Sequence, residues 1–494
     1  MPSPHIVDLI RSRSAPDAVA VSAMGRKTSL GELLEQASTV AHALRSAGDS
    51  ADPARVRRIG LHFPSGPDYI AAALGVLEAD ACFVPVPEEL ADAEKRTLVE
   101  RTALDAVLTP AGGSEPWLPA STLHAQLVQA GDSVLDLHLV TPGDPVFPEE
   151  AFAALNPAFI RFSSGTTGRS KGVVLSHETL KARIEAANGG LRIGPGDRVL
   201  WTLPMAHHFA VSIILYLYHG ATTILAEARS GAELLEIARS EGATVMYGSP
   251  FHFRQLADCD AGADCPTLRL AVSTAAALDA VTARSFQRRF GKPLVQGLGI
   301  IEAGLPMLNL ANAETKPESI GRPLPGYEAK LRPAGEGAGE LLLRGGGFFD
   351  AYLDPWQRRE DVMDADGWFA TGDLAEVDAD GDWTLKGRLK SLINVGGMKV
   401  FAEEVERVLA EHPGIERALV SGQAHPVFGE IPVARYEAAE EAIPAKELRR
   451  HCRERLAAHK VPLTFLAVQK LPQTASGKLR RDPASIPAVS NVPA

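Results

Sequence analysis

Phe159-Ile160-Arg161-Phe162-Ser163-Ser164-Gly165-Thr166-Thr167-Gly168-Arg169-Ser170-Lys171-Gly172-Val173-Val174-Leu175 sets two apolar, strand-like runs on either side of a loop of glycines, hydroxyls and one lysine. Glycine lets the backbone approach an anion closely and turn its N–H groups inward. Ser and Thr add rotatable donors, and Lys171 adds a point charge. That is the composition of a polyphosphate cradle. No Gly-Lys-Ser/Thr triplet closes the loop, and the residues after Lys171 read as a strand rather than a helix, so the spacing departs from that of P-loop ATPases. A plain Ser/Gly surface turn is the competing reading, and it leaves so many hydroxyls between two β-branched or aromatic runs without a purpose.

Outward from this loop, the chain is long enough for at least two domains: 494 residues exceed what one core usually organises. Hydrophobic residues at 45% and charged residues at 22% describe an ordinary globular protein. An acidic excess, 61 Asp and Glu against 50 Lys and Arg, argues against nonspecific binding to nucleic acid or anionic membranes. No run of ~18 apolar residues offers a membrane span, and the opening Met1-Pro2-Ser3-Pro4-His5 lacks the pattern of a secretory signal, so a cytoplasmic enzyme is expected. The four cysteines, Cys82, Cys259, Cys265 and Cys452, form no CxxC pair, which disfavours a zinc knuckle or a disulfide framework.

Before the loop, Ser29 reads as the N-cap of a helix carrying Leu30, Leu33, Leu34 and Ala37 on one face. Ile59–Phe63, Tyr69–Leu77 and Cys82–Val86 then read as strand, helix and strand, which at these lengths implies a parallel α/β sheet. After the loop, Ser176 caps a helix that Asn188-Gly189-Gly190 is expected to stop. A strand at Val199–Leu203 runs into Pro204-Met205-Ala206-His207-His208-Phe209, at the strand end where α/β folds place ligands. Two further strands end in small residues: Leu268–Val272 before Ser273–Ala277, and Pro293–Val295 before Gln296–Gly304. A flat ligand could meet backbone there. Glu302 is the one ionisable group in its turn and suits either a solvated helix start or a Mg²⁺ ligand beside phosphate oxygens. Beyond Gly321 short strands and turns predict a small antiparallel subdomain, with Asp373 in Thr371-Gly372-Asp373 able to take a ribose diol or to stabilise its turn. The linker Lys386–Ser391 leads to a small α+β unit with a helix at Glu403–Ala410, a strand at Glu416–Ser421 and a basic helix at Ala445–Ala458. Lys478 stands on the Ser/Gly loop near its end.

Taken in order, these motifs resemble the adenylate-forming superfamily: acyl- and aryl-CoA synthetases, peptide-synthetase adenylation domains and firefly-type luciferases. The resemblance runs from about Ser29 to Arg481. It implies a large N-terminal α/β domain of parallel and mixed sheets, residues 1–389, whose segment 320–389 is a small β subdomain, and a small mobile α+β C-terminal domain, 391–494, turning about a hinge at Lys390. It also implies an ATP-dependent acid–thiol ligase that forms an acyl-AMP and then a thioester. Ser163, Ser164, Gly165, Thr166, Thr167, Gly168 and Lys171 would hold phosphates, Glu302 would hold Mg²⁺, Asp373 and Arg388 the ribose, and Ala275, Leu298, Gly299 and Ile301 would line the nucleotide site. Lys478 would bridge the substrate carboxylate and ATP, while Gly396, Gly397 and Lys399 would meet the pantetheine arm. His207, Phe209, Ser212, Tyr247, Gly248 and Leu298 would form an apolar acid pocket with one polar handle, suited to an aryl or medium-chain acyl carboxylate, with His207 at its mouth.

Some positions depart from the family pattern. Leu298 stands for the aromatic residue that stacks on adenine, Ile301 for the Thr before the glutamate, and Ser170 for a proline. Thr274 and Ala277 replace a glycine and a proline. CoA is the leading acceptor. The alternatives are the phosphopantetheine of a separate acyl carrier protein, and a nucleotide-binding homologue with impaired catalysis.

Overall fold

The computed structural model describes residues 5–47, 55–162, 171–226, 228, 230–259, 262, 265–333, 338–395, 398–473 and 479–481. The chain gathers into two compact units. The first is drawn from Met1–Ser163, Lys171–Glu328 and Gly345–Asp364; the second takes in Ala329–Arg344 and Ala365–Ala494.

Two mixed sheets of nine strands each organise the first unit. In one, Val19–Ala23, Thr222–Leu225, Arg198–Trp201, Val245–Gly248, Leu270–Ser273 and Leu294–Ile300 lie side by side in parallel. The strands Gly304–Leu308 and Arg322–Pro323 continue it antiparallel at one edge, and Arg26–Ser29 at the other. In the second sheet Ala106–Pro110, Arg58–Leu61, Cys82–Pro85 and Pro157–Phe162 are parallel neighbours. Antiparallel Gly172–Ser176 and Ala351–Leu353 extend that sheet. The Ser/Gly-rich stretch of the opening motif therefore joins two antiparallel strands, and a strand follows Lys171 as its composition predicts.

Helices between parallel strands form where apolar residues recur at helical spacing behind a cap. Ser29 Oγ accepts from the Glu32 N–H at 3.2 Å and Glu32 returns a carboxylate to the Ser29 N–H at 2.7 Å, opening the helix Leu30–Ser46. Leu33, Ala37, Val40 and Leu44 on its inner face are fully buried. Against them lies Pro67–Glu78, the crossover between Arg58–Leu61 and Cys82–Pro85. At Gly75 the two helices come so close that a Cβ would sit 2.6 Å from the Ala37 carbonyl oxygen.

The helix capped by Ser176 differs from expectation. It runs His177–Leu191, through Asn188-Gly189-Gly190 instead of stopping there. Gly190 is a packing residue: a Cβ on it would lie 2.5 Å from Leu324 Cδ2. Termination comes from Asn188, whose side chain brackets the Ile193 backbone, donating to its carbonyl at 2.9 Å and accepting from its N–H at 2.7 Å.

In the second unit a four-stranded antiparallel sheet orders Tyr327–Pro333, Gly339–Gly345, Phe369–Val377 and Trp383–Arg388. A five-stranded sheet built on the long hairpin Ile415–His425 and Gly429–Ala438 follows, with the helices Ala402–Ala410 and Ala445–Arg453. Val405, Leu409, Val420, Tyr436 and Leu448 are buried together there. The basic helix ends at Arg453, five residues before the expected Ala458, and only a short 3-10 turn, Ala458–Lys460, follows. By compactness most of the segment 320–389 groups with the C-terminal residues, whereas the sequence reading joined it to the N-terminal part. Lys390 is exposed in the 3-10 turn Leu389–Ser391 between two strands. Among the described residues, no helix is long and apolar enough to cross a membrane.

Candidate active site

Glu302 follows the strand Leu294–Ile300, at the turn into antiparallel Gly304–Leu308. Buried Arg183, on the helix His177–Leu191, clamps that turn through three carbonyls: it donates to Gly347 at 2.6 Å, Ile301 at 2.8 Å and Glu302 at 2.5 Å. The Phe349 N–H adds a bond to the Glu302 carbonyl at 2.7 Å. With its backbone so held, Glu302 directs its carboxylate to Tyr352, whose hydroxyl donates to Oε1 at 3.0 Å. Burial, reinforced by that carboxylate, raises the Tyr352 pKa and keeps the phenol a donor. Lys171 Nζ lies 4.0 Å above the Tyr352 ring, a cation–π contact that ties the base of the opening motif to the glutamate.

Arg161, Tyr352 and Arg183 did not stand out in the sequence as site residues. For Arg161 the signal was present: a single charge inside the apolar strand run Phe159–Phe162, on the face opposite Ile160. Arg183 and Tyr352 are brought to Glu302 from far along the chain, and no local pattern marks them.

Tyr247, Gly248, Thr274, Leu298 and Gly299 come together at the C-terminal ends of neighbouring parallel strands. Tyr247 stacks on Trp201 with ring centroids 5.3 Å apart, and burial raises its pKa to about 12. A Cβ on Gly248 would meet Thr202 Oγ1 at 2.8 Å, and one on Gly299 would meet Thr274 Oγ1 at 3.2 Å. Ala275 takes a left-handed backbone with φ of 71°, a conformation costing roughly 1–2 kcal/mol outside glycine. Leu298 is buried, while Ile301 is half-buried and gives its carbonyl to Arg183. On the helix Met205–His208, His207 Nε2 meets Glu89 Oε1 at 2.5 Å, a hydrogen bond that lowers the Glu89 pKa. Phe209 is fully buried edge-on to Tyr69 and Phe83, with centroids 6.0 and 5.5 Å away, and Ser212 is buried beside it in sequence.

In the second unit Asp373 and Arg388 are register partners on adjacent strands, with Arg388 Nε 2.7 Å from Asp373 Oδ1. Gly372, at φ of 73°, makes Thr371-Gly372-Asp373 an irregularity within the strand Phe369–Val377. Thr371 Oγ1 secures it by donating to the Leu341 carbonyl at 2.8 Å and accepting from the Asp373 N–H at 3.0 Å. Ser163, Ser164, Gly165, Thr166, Thr167, Gly168, Gly396, Gly397 and Lys478 lie outside the described residues, as does the side chain of Lys399.

The family described as AMP-binding enzyme matches residues 10–353, and its C-terminal domain matches 404–478. The chain belongs to the AMP-binding enzymes. Its relatives include the sulfoacetate–CoA ligase of Cupriavidus necator, 29% identical with 92% of each chain covered. The feruloyl-CoA synthase of an Amycolatopsis species is 31% identical over 95% of this chain and 96% of its own. Among solved structures, the o-succinylbenzoate CoA synthetase of Bacillus subtilis, in complex with its acyl-adenylate intermediate, shares the fold with a TM-score of 0.82 at 21% identity, covering 99% of both chains. The amide bond synthetase of Marinactinospora thermotolerans superposes with a TM-score of 0.77 at 25% identity, covering 96% of this chain and 98% of its own. The resemblance read from five ordered motifs, the α/β fold with a small C-terminal domain, and the assignment to acid–thiol ligases of the AMP-forming kind are borne out.

Proposed function

We propose that this AMP-binding enzyme activates an aryl or medium-chain acyl carboxylic acid with ATP and passes the acyl group to the thiol of CoA in the cytoplasm. The observation that carries the reading is the Glu302 carboxylate, held by Tyr352 and set on a backbone clamped by Arg183, one ring away from Lys171. An acid oxygen attacks the α-phosphorus of ATP; the bond to the bridging oxygen breaks and pyrophosphate leaves with its electron pair. The CoA thiolate then attacks the acyl carbon of the mixed anhydride, and AMP departs.

Two anions meet in the first step, so positive charge must be in place before they do. Lys171 supplies it to the leaving pyrophosphate, and Lys478 to the carboxylate and the α-phosphate. Glu302 suits Mg²⁺: a hard cation takes one or two carboxylate oxygens together with phosphate oxygens, and Tyr352 already orients this carboxylate. When bound, Mg²⁺ would neutralise phosphate charge. Asp373, steadied by Arg388, accepts from the ribose hydroxyls, while Leu298, Gly299, Thr274 and Ala275 face the base. Tyr247, Gly248 and Ser212 form the acid pocket with Phe209 behind it and His207 at its mouth, its ring held by Glu89. Gly396, Gly397 and Lys399 receive the pantetheine arm after the chain turns at Lys390.

The test is pyrophosphate release across a panel of carboxylic acids, followed by weighing the product formed with CoA or with a holo-carrier protein. A thioester with CoA is expected. Absence of release with every acid, together with no effect of Lys478→Ala, would overturn the enzymatic reading, and a thioester on the carrier alone would replace CoA as acceptor.

A further inference from the structure

Among the described residues, Arg161 has neither a hydrogen-bond partner nor an ion pair, and its Nε is shielded from solvent. Its position explains why. Arg161 pairs with Val173 across the hairpin, and Val173 pairs on its other side with Tyr352, so the three side chains share one face of the sheet. Lys171, two residues before Val173, lies over the Tyr352 ring on that face. Glu302 is within electrostatic reach of Arg161, and so is Arg183; burial lowers the Arg161 pKa to about 10, still far above neutrality. Arg161 and Arg183 thus both lie within electrostatic reach of Glu302, with Asp350 also within reach of Arg183, and Lys171 stands over the ring of the tyrosine that holds the Glu302 carboxylate. A guanidinium nitrogen shielded from water and left unbonded is costly unless an anion arrives with the ligand.

We propose that Arg161 is a polyphosphate-binding residue of the adenylating site, its guanidinium taking the β- and γ-phosphate oxygens of ATP and holding them as pyrophosphate leaves. The planar fork matches two phosphate oxygens at once, a geometry a lysine does not offer. Arg161 lies two residues before Ser163, where the polyphosphate cradle begins. It also supplies a phosphate contact in a chain where Ile301 carries no hydroxyl.

The assignment rests on ATP being the substrate, and it is tested without knowing the acid. Wild type, Arg161→Met and Arg161→Lys are titrated with magnesium pyrophosphate and with a non-hydrolysable ATP analogue by calorimetry, and each is melted with and without these ligands. Arg161→Met is expected to weaken both ligands at least tenfold, with Arg161→Lys in between. The ligand-free Met variant should melt no lower than wild type, because a half-buried guanidinium with a shielded, unbonded Nε has been removed; a structural arginine would lower that melting point and leave ligand affinity alone. Once an acid is found, its KM and thioester formation from supplied acyl-AMP should be unchanged. Wild-type binding matched by Arg161→Met overturns the assignment and leaves the proposed function intact, as does a loss confined to the KM for the acid, which would give the guanidinium to the substrate. Failure of wild type itself to bind either ligand overturns both.

Discussion

Tyr352 is the residue that turns Glu302 from a solvated carboxylate into an aimed one. Its hydroxyl holds Oε1 and its ring carries Lys171, so one side chain positions an anionic and a cationic group together. Tyr352→Phe keeps the ring and removes one hydrogen bond to a charged acceptor, worth about 1.5–3 kcal/mol. The expected result is a ten- to hundredfold fall in kcat for pyrophosphate release with a raised Mg²⁺ requirement, while the melting temperature moves by only a few degrees. Steady-state kinetics over a Mg²⁺ series checks it, and an unchanged Mg²⁺ dependence would detach Tyr352 from Glu302's role. Glu302 stands out in the sequence as a candidate because it is the sole ionisable residue in its turn. Tyr352 was missed because it reads as one more aromatic in the run Phe348–Leu353, and only the register with Val173 shows where it faces.

At the scale of elements, the helix His177–Leu191 begins on a buried histidine whose Nδ1 accepts from the Ile6 N–H at 3.3 Å, with the His5 ring 3.6 Å away. Burial first, and then His5, lower the His177 pKa to about 3. A proton there would also oppose the helix N-terminus. Above pH ~6.5 neither the folded nor the unfolded chain protonates this ring, and its contribution to stability is intact. As pH falls below that value the unfolded chain takes up a proton that the fold refuses, so stability drops by about 1.4 kcal/mol per pH unit toward pH 3. Urea unfolding at pH 7.5 and 5.5 should therefore show a loss that is smaller by roughly 1 kcal/mol in His177→Phe, the remainder belonging to His5, His138, His219 and His252, which burial also holds below the usual histidine range. An undiminished loss in the variant would assign the acid sensitivity to those other histidines alone. Ser176 was legible as the cap of this helix from composition, but its end was not: Gly189 and Gly190 look like a stop, and only the packing of Leu324 shows that the missing Cβ is required inside the helix.

For the whole molecule the division of labour between two lysines is the quantity to measure. Lys171 lies in the first unit and Lys478 falls in the segment matched to the family's C-terminal domain. Lys171→Ala is expected to raise the KM for ATP by about tenfold or more, in line with the loss of one charge-assisted phosphate contact. Lys478→Ala should abolish adenylation yet spare thioester formation from supplied acyl-AMP, because the second half-reaction no longer needs a bridge between carboxylate and phosphate. Single-turnover assays of the two half-reactions separate these outcomes, and equal loss of both in Lys478→Ala would refute the division.

By itself the sequence determined the family and the reaction class. The residues proposed to hold ATP lie in local motifs, and their order survives in one dimension: the Ser163–Lys171 loop, then Glu302, Thr371-Gly372-Asp373, Gly387-Arg388 and Ser476-Gly477-Lys478. Parallel pairing was equally legible, since strand, helix and strand at short spacing admit little else. Only the tertiary structure decided which polar side chains share a face. Arg161, Tyr352 and Lys171 are brought together by the register of three strands, and Arg183 reaches the Glu302 backbone from a helix more than a hundred residues earlier. Sheet register and helix docking depend on packing summed over the whole core, a sum that no local stretch of sequence contains.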